Sequence, residues 1–465
     1  EIMTNPPAKY DAAGNSGIIN IKTKKNKQKG FNGSVSSSYT QGEKYRTSNS
    51  LNLNYRNGKV NVFGTVNANY RNQNQYLDIK RQYLNNDKTV NAIFEQNSVQ
   101  NRRNQFYNLK TGADYYLSNK TTLGIVLTGY IAPRKVPGVN TSYLRNANGG
   151  LDSTVLANTN EKSQWNHGGV NLNMRHKFDS TGRELTADVD YLKYDATANN
   201  SILTRSFLPN GTEISNYTIT AKLPSDLEIF SAKTDYTQML SKKIKMEAGL
   251  KTSIVQTHNK ANYFNTTGNV TTVDLERTSN FNYRENLNAA YVNFSTEIKK
   301  WGLQGGFRAE NTNYSGLQYG NAFQKDSSFK KSYTSAFPTI FVSYKHNDKN
   351  QFGFSYGRRI SRPDYEDLTP FIEFIDIYTY EVGNPYLKPM FDNKFEMSHT
   401  YNEFLTTTLN YSVTKNLFGD AFDKEGDAIV VRGSNFGKMQ QAVISVSAQV
   451  PVQKWWQTQV YTEAN

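Results

Sequence analysis

Apolar and polar residues alternate with a period of two from Gly30 almost to the end of the 465-residue chain. This alternation is typical of β-strands whose two faces meet different surroundings, and no long stretch shows a convincing helical period. The clearest hairpin runs from Ser50 to Tyr70, where Asn57 and Gly58 supply the two positive-φ positions of a type I′ turn. The sequence therefore predicts an all-β protein built from consecutive hairpins.

The predicted connections alternate between short and long. Tight polar turns of about two to five residues join the strands of each hairpin. Long connections containing Gly, Asn or Asp are predicted at residues 73–103, 132–163, 197–226, 258–284, 315–332, 361–393 and 417–437. Outer-membrane barrels alternate in this way, with short periplasmic turns on one rim and long extracellular loops on the other. No apolar run is long enough for a membrane-spanning helix, so a crossing would use strands.

The two faces of the predicted strands support this interpretation. Val60, Val62 and Val66 lie on one face of a strand whose other face carries Asn61 and Asn67. We therefore expect a transmembrane antiparallel up-and-down β-barrel with lipid outside and water inside. Aromatic residues near predicted strand ends suggest girdles at the two interfaces: Tyr55, Tyr70, Tyr130, Phe178, Tyr401, Tyr411 and Trp456.

About seventeen strands are predicted when residues 33–40 are taken as the first. An odd number leaves one edge unpaired, whereas bacterial barrels close with an even number of strands. We therefore expect the barrel to be truncated before its last strands.

Composition narrows the choice further. The chain has no cysteine, which excludes disulfides, thiolate metal sites and cysteine nucleophiles. Apolar residues make up only 37%, too few for several thick soluble cores, while aromatics reach 13%, too many for a disordered chain. The net charge of +14 is spread over turns and both strand faces, so it does not predict a nucleic-acid surface.

Two segments carry a resemblance to a known family. The stretch NPPAKYDAAGNSGIINIKTKK, residues 5–25, closely resembles the end of the plug domain of TonB-dependent outer-membrane receptors of the Bacteroidota type. Gly383-Asn384-Pro385-Tyr386-Leu387-Lys388-Pro389 is similar to a loop-to-strand signature of the same receptors. The resemblance implies that residues 1–29 are the C-terminal end of a plug domain and residues 30–465 an outer-membrane barrel. It also implies about seventeen strands present of an expected twenty-two, incomplete at both ends.

The resemblance further implies a bacterial outer-membrane receptor that takes up a scarce nutrient by TonB-energised import. The implied partners are outer-membrane lipid and lipopolysaccharide, a TonB-type energy-transducing protein, a surface lipoprotein, and a small-molecule, peptide or oligosaccharide substrate. Two alternatives stay open. One is a structural, adhesion or export-related barrel without active uptake, and the other is a soluble all-β carbohydrate-binding or propeller protein.

Ligand recognition is predicted in the loop 361–393 and at the mouth of the lumen. Its aromatic residues offer stacking surfaces beside carboxylates, and two arginines on the polar parity are expected at extracellular strand ends. The predicted residues are Arg71, Arg359, Asp364, Tyr365, Asp367, Phe371, Phe374, Asp376, Tyr378 and Tyr380.

Catalytic chemistry is not predicted. The five histidines, at positions 167, 176, 258, 346 and 399, have no metal-ligand spacing. Asp364, Glu366 and Asp367 follow Arg358, Arg359 and Arg362, and we expect these groups to form a local ion-pair network rather than a general acid–base pair. Phosphate-binding glycine motifs are absent from the sequence. We therefore expect no enzyme, no cofactor, no metal site and no nucleic-acid partner.

Overall fold

The computed structural model describes residues 2–3, 5–14, 17–19, 21, 29–85, 87–323, 325–368, 372–376, 379–425 and 428–465. The elements in chain order are β1 (Ile2–Met3), β2 (Ile18–Ile19), β3 (Gly30–Gln41), β4 (Tyr45–Asn57), β5 (Val60–Leu84), β6 (Val90–Tyr115), β7 (Thr121–Asn146), β8 (Leu151–Lys177), β9 (Glu184–Phe207), β10 (Glu213–Met239), β11 (Ile244–Thr267), β12 (Val270–Ile298), β13 (Trp301–Tyr319), β14 (Ser327–Lys345), β15 (Asn350–Ser361), α1 (Tyr365–Leu368), β16 (Ile372–Asp376), β17 (Thr379–Val382), β18 (Met390–Tyr401), β19 (Leu405–Glu425), β20 (Ala428–Gln453) and β21 (Trp456–Ala464).

In this described part of the chain, seventeen strands form one sheet that curls into a barrel, and its first and last strands, β3 and β21, each pair on one side, with β4 and β20. Each wall strand pairs antiparallel with its neighbour in sequence, from β3 to β15 and from β18 to β21. β15 pairs directly with β18, because α1, β16 and β17 belong to the loop between them. β1 and β2 form a separate two-stranded sheet. The predicted fold class and number of strands are confirmed.

The outer face of the wall carries an apolar belt. On β7, the outward side chains of Leu123, Ile125, Leu127 and Ile131 are between 39% and 50% exposed. The inward face of the same stretch carries polar groups such as Thr128, whose hydroxyl bonds a histidine of β8. Aliphatic side chains that face outward, against polar ones that face inward, are the arrangement of a barrel surrounded by lipid. The predicted assignment of the two faces is therefore confirmed.

Most of the predicted long loops are strands instead. β5 and β6 run past the apolar belt and are separated only by residues 85–89. The stretches predicted as loops at 132–163, 197–226, 258–284, 315–332 and 417–437 likewise lie mainly on paired strands. Above the belt polar residues stand on both faces among scattered apolar ones, so the regular alternation that marks a strand is lost from the sequence while the backbone ladder continues. Within the described ranges, the one long connection between wall strands follows β15.

Aromatic rings gather at the rim with the tight turns, where Trp301 stacks on Tyr344 at 4.4 Å and Phe352 on His399 at 4.6 Å. Tyr45 and Tyr70 lie 5.0 Å apart at the upper edge of the belt. These contacts fit girdles at the two interfaces. Tyr130 is an exception to the prediction, because it lies in the middle of β7 and stacks inside the barrel on His167. No helix in the described ranges is long and apolar enough to cross a membrane.

Candidate functional site

Residues 5–14 form a segment that is docked inside the barrel against the inward faces of β11, β13 and β15; we call it the docked segment. The Asn5 side-chain amide donates to the Ser355 hydroxyl at 2.6 Å, and Lys9 pairs with Glu247 at 3.4 Å. The methyl group of Ala8 fits against Gly306, where an added Cβ would lie only 2.8 Å from it. The wall therefore has a glycine where the segment approaches it most closely.

The upper end of the docked segment continues the hydrogen bonding of β15. The Ile360 N–H donates to the carbonyl of Ala12 at 3.0 Å, and the Gly14 N–H donates to the carbonyl of Ile360 at 3.0 Å. Arg359 donates to the carbonyls of Ala13 and Gly14, each at 3.0 Å. These bonds add the segment to the end of β15 as a short parallel strand.

Asp11 joins the segment to two cations of the wall. Its carboxylate accepts from Lys251 at 2.6 Å and from Arg308 at 2.9 Å. Burial alone would raise the pKa of Asp11, but the hydrogen bond and charge of Lys251 and the charge of Arg308 outweigh it and lower the pKa from its ordinary value of 3.8. Asp11 is therefore ionised at neutral pH and holds the segment to β11 and β13.

Glu310 of β13 is the centre of this arrangement. Its side chain is 1% exposed and accepts from Arg308 at 2.6 Å, from Arg362 at 2.6 Å and from the backbone N–H of Ala12 at 3.3 Å. Arg308 is equally buried. One carboxylate thus connects the wall, the docked segment and the loop after β15, and the low-dielectric surroundings make the removal of any partner costly.

The loop between β15 and β18 folds inward over aromatic side chains of the wall. Its Leu368 and Leu387 are 3% and 1% exposed and pack with Phe281, Tyr283 and Tyr314. Burial alone would lower the pKa of Arg362, but the neighbouring hydroxyl of Tyr333 and the carboxylate of Glu310 raise the pKa overall. The loop is therefore anchored at its start by charge and further along by apolar contacts.

The signature at residues 383–389 anchors the end of this loop. The Asn384 carboxamide donates to the carbonyl of Gly433 at 3.0 Å, and its oxygen accepts from the N–H of Tyr386 at 2.9 Å. Asn435 accepts from the N–H of Lys388 at 3.0 Å and donates to its carbonyl at 3.1 Å. The motif thus attaches the loop to β20 and places Leu387 in its apolar pocket.

Arg359 and Arg71, two of the predicted ligand residues, do not lie where the sequence predicted them. Arg359 does not line the mouth, because it is only 4% exposed and its guanidinium binds carbonyls of the docked segment. Arg71 is not at a strand end, because β5 continues to Leu84. It faces the lumen opposite Arg46, is exposed, and donates to Gln73 at 2.9 Å.

The remaining predicted residues are in the loop after β15. Asp364 is exposed, and its backbone N–H donates to the Asp367 carboxylate at 2.8 Å. Burial of Asp367 raises its pKa. The Tyr380 hydroxyl donates to Glu425 at 2.9 Å. Tyr365 lies in α1 and Phe374 and Asp376 in β16, whereas Phe371 and Tyr378 lie outside the described residues.

The predicted ion-pair network within this loop is not formed by the described side chains. Arg362 reaches Glu310, and Arg358 donates to the carbonyl of Ala336 while it lies over the ring of Phe391. These two cations contact groups of the wall, whereas the Asp367 carboxylate accepts from the backbone N–H of Asp364. Because we chose the partners of these arginines by their nearness in the sequence, the predicted partners are wrong.

Sequence reasoning missed the charged residues that hold the docked segment to the wall. Asp11, Lys251, Arg308 and Glu310 were not predicted, although Arg308 and Glu310 stand on the polar parity of a predicted strand. Two consecutive inward charges of opposite sign could have indicated a buried contact inside the barrel. The identity of their partner could not be read, because Asp11 is about 300 residues away in the chain.

A cavity of about 800 Å³ lies at the rim with the tight turns, below the docked segment. Met3 and Asn5 line it together with Glu297, Gln304 and Glu396 of the wall. Among the described residues, no three His, Cys, Asp or Glu side chains are grouped to hold a metal ion.

Comparisons with known proteins agree with this geometry. The family model "Outer membrane protein beta-barrel family" matches residues 176–465, which is more than half of the chain. A comparison with curated proteins gives no match.

Several solved structures share the fold at low sequence identity. The siderophore receptor PiuA from Acinetobacter baumannii has a TM-score of 0.56 and 12% identity, over 98% of this chain and 68% of its own. The copper transporter OprC has a TM-score of 0.58 and 12% identity, over 100% and 66%. A mutant of the ferric enterobactin receptor PfeA from Pseudomonas aeruginosa, in complex with enterobactin, has a TM-score of 0.58 and 12% identity, over 100% and 67%.

This chain spans about two thirds of the length of these structures. They are receptors and transporters, one of them in complex with its small-molecule ligand. The resemblance to outer-membrane receptors is confirmed at the level of the fold. The chain belongs to the outer membrane protein beta-barrel family, and the protein is a β-barrel of the bacterial outer membrane.

Proposed function

We propose that this protein is a receptor that imports a scarce nutrient across the outer membrane, with energy delivered by a TonB-type protein. Residues 1–29 are proposed to be the end of a plug domain and residues 30–465 the barrel that surrounds it. The observation that carries this proposal is the docked segment, which is held inside the barrel largely by ion pairs and hydrogen bonds.

Polar docking suits a plug that must move. Ion pairs and hydrogen bonds to the wall can be exchanged for water as the segment leaves, so release exposes little apolar surface. Ala12 packs in an apolar cluster with Phe337 and Ile360, and Pro6 and Ala8 are also buried, so the buried apolar side chains that release exposes are three small ones. A pull on the preceding chain could therefore separate the segment from the wall without unfolding the barrel.

Glu310 offers a route from the outer loop to the docked segment. Arg362 at the start of the loop and Ala12 in the segment share its carboxylate. A ligand that shifts the loop would weaken one contact of Glu310 and thereby change the others. Binding outside would then loosen the segment before energy is applied.

Ligand contact is proposed for the lumen wall and the loop. Arg71 and Arg46 face the lumen side by side and offer positive charge near the upper part of the barrel. The loop residues proposed to take part are Asp364, Tyr365, Asp367, Phe371, Phe374, Asp376, Tyr378 and Tyr380. Arg359 is proposed to act indirectly, through its bonds to the docked segment.

The proposed partners are a TonB-type protein that acts from the periplasmic side, a surface lipoprotein at the outer mouth, and outer-membrane lipid with lipopolysaccharide. No catalytic role, cofactor or nucleic-acid partner is part of the proposal. Substrates of small-molecule, peptide or oligosaccharide class all suit a water-filled lumen.

Release of the docked segment can be tested without a known substrate. Residues 1–465 contain no cysteine, so Ala12→Cys supplies their one thiol, and any cysteine elsewhere in the full-length protein is replaced by Ser. Ala12 is 1% exposed and is expected to react with a membrane-impermeant maleimide only when the segment leaves the wall. Nutrient-limited cells that express the full-length protein should label faster than cells treated with a protonophore.

The control variant is Lys44→Cys, in the exposed turn between β3 and β4, which should label equally in both conditions. If Ala12→Cys labels at the same rate with and without the protonophore, the segment does not respond to energy. That outcome would favour a structural, adhesion or export-related barrel with a fixed plug.

A further inference from the structure

Three cations stand side by side on the outer face of the wall. Arg103 of β6 lies directly opposite Lys135 of β7, and Lys135 lies directly opposite Lys162 of β8. Their outward orientation follows from the register, since Lys135 shares the parity of Leu127 and Ile131 in the apolar belt. All three side chains are exposed. We call this row the cationic triad.

The triad lacks the counter-charges found elsewhere on the same face. The neighbours that flank it in register are neutral, Asn72 on β5 and Asn199 on β9. In contrast, Lys80 lies opposite Glu95 and pairs with it at 2.8 Å. Like charges directly opposite each other destabilise a sheet, so this row needs an external anion to offset the repulsion.

Among the described residues, no ion pair at 4.0 Å or less includes a member of the triad. Arg103 donates to the Asn101 side chain at 2.5 Å, a neutral acceptor on the same strand. The cations are therefore available to a ligand from outside the chain.

The height of the triad indicates which anion it meets. Ile131 and Tyr107 are the nearest large apolar outward residues on the belt side of Lys135 and Arg103, and each is four residues from its cation. Val139 and Val99 lie outward four residues above the cations. At about 3.4 Å per residue and a strand tilt of about 40°, the triad lies roughly 10 Å above the belt. This rim is the extracellular one, because the strands extend furthest beyond the belt here and the long loop after β15 leaves from it.

We propose that the cationic triad binds the phosphate groups of a glycolipid headgroup in the outer leaflet. Lys and Arg are the usual phosphate ligands, and outward-facing cations just above the hydrocarbon meet headgroups before any soluble anion. The triad lies outside the lumen, so its role in lipid binding can be tested separately from nutrient import. The proposal assigns three residues on one side of the barrel to the recognition of lipid phosphate.

The test compares two variants that each lose three positive charges. The triple variant Arg103→Gln, Lys135→Gln, Lys162→Gln removes the triad. The control, Lys299→Gln, Lys349→Gln, Lys454→Gln, removes exposed lysines of the tight turns at the opposite rim. The full-length protein is delipidated in detergent, and binding of fluorescent diphosphoryl lipid A is measured at low and high salt.

Each cation near an anionic surface contributes about fivefold to affinity, so loss of the triad should weaken binding by roughly a hundredfold. The single variant Lys135→Gln should lose about fivefold, and the salt dependence should decrease with each charge removed. Dephosphorylated lipid A should bind weakly to every form.

Three results would overturn the proposal. They are binding by the triad variant within about twofold of the unaltered protein, equal weakening in the control, or equal affinity for dephosphorylated lipid A. Displacement of lipid A by inorganic phosphate at equal concentration would assign the site to free phosphate instead. Heat-modifiable migration on gels checks that each variant is folded.

Discussion

Replacement of Glu310 by Gln is the sharpest test of how the docked segment is held. The substitution keeps the shape of the side chain and one oxygen acceptor but removes the charge. Arg308, which is 1% exposed, then keeps only the half-exposed Asp11 as an ionic partner, and Arg362 loses its ionic partner. The docked segment also loses a charge-assisted acceptor for the N–H of Ala12.

The size of the effect follows from burial. Breaking a buried ion pair by removing one partner costs about 3–5 kcal/mol. Gln still accepts one hydrogen bond and Arg308 keeps Asp11 at 2.9 Å, so the lower end of this range applies. We expect the free energy that holds the segment to the wall to fall by about 3 kcal/mol, which corresponds to roughly a hundredfold more frequent release.

Amide hydrogen exchange measures this release at bonds that do not involve Glu310. The N–H groups of Gly14 and Ile360, which bridge the segment and β15, should lose about a hundredfold in protection. The matched control is Glu161→Gln, whose carboxylate pairs with Arg134 at 3.6 Å on another part of the inner wall. Unchanged protection of Gly14 in a folded Glu310→Gln barrel would refute the reasoning.

Three further outcomes are expected. Because the pKa of Asp11 is lowered in the folded protein, its contribution is present at neutral pH and declines as pH falls below 3.8, so the hydrogen-exchange protection of the Gly14 N–H, relative to an unstructured peptide at the same pH, should fall on acidification to about pH 3. Leu387→Ala should cost the loop about 2–5 kcal/mol and speed its proteolysis between β15 and β18, while the barrel stays folded. Tyr380→Phe, which removes one bond to Glu425, should change that proteolysis rate by less than about fivefold.

The wall of the barrel could be predicted from sequence because its two faces differ in chemistry. The hairpin from Ser50 to Tyr70 is formed, but the predicted type I′ turn at Asn57 and Gly58 is wrong. Asn57 lies on β4 opposite Val60 without a positive φ, so the turn residues are Gly58, at φ 54°, and Lys59. The signal from the two faces fails above the lipid, where Asn, Gln and charged residues stand on both faces of β5 and β6, a composition that is typical of loops. Apolar and polar residues alternate along a strand only where its two faces meet different surroundings. Above the belt both faces meet water, so the alternation is not expected there.

The candidate site was less accessible to sequence reasoning. The structure brings the start of the chain and the loop after β15, where the two family-like segments lie, to one place at Glu310. Their partners could not be read, because ion pairs such as Asp11 with Arg308 join residues that are far apart in sequence. Arg359 was singled out for its charge, but its burial against two carbonyls follows from tertiary packing alone.

The strands that continue above the lipid make the mouth of this protein a stiff, hydrogen-bonded collar. On β7, fifteen residues separate Ile131 from the end of the strand at Asn146, and at about 3.4 Å per residue with a tilt of about 40° they rise roughly 40 Å. A ligand would first contact the protein at this height above the membrane, within the saccharide layer of the cell surface. A large ligand-binding protein could then release its ligand at the top of the barrel without approaching the bilayer.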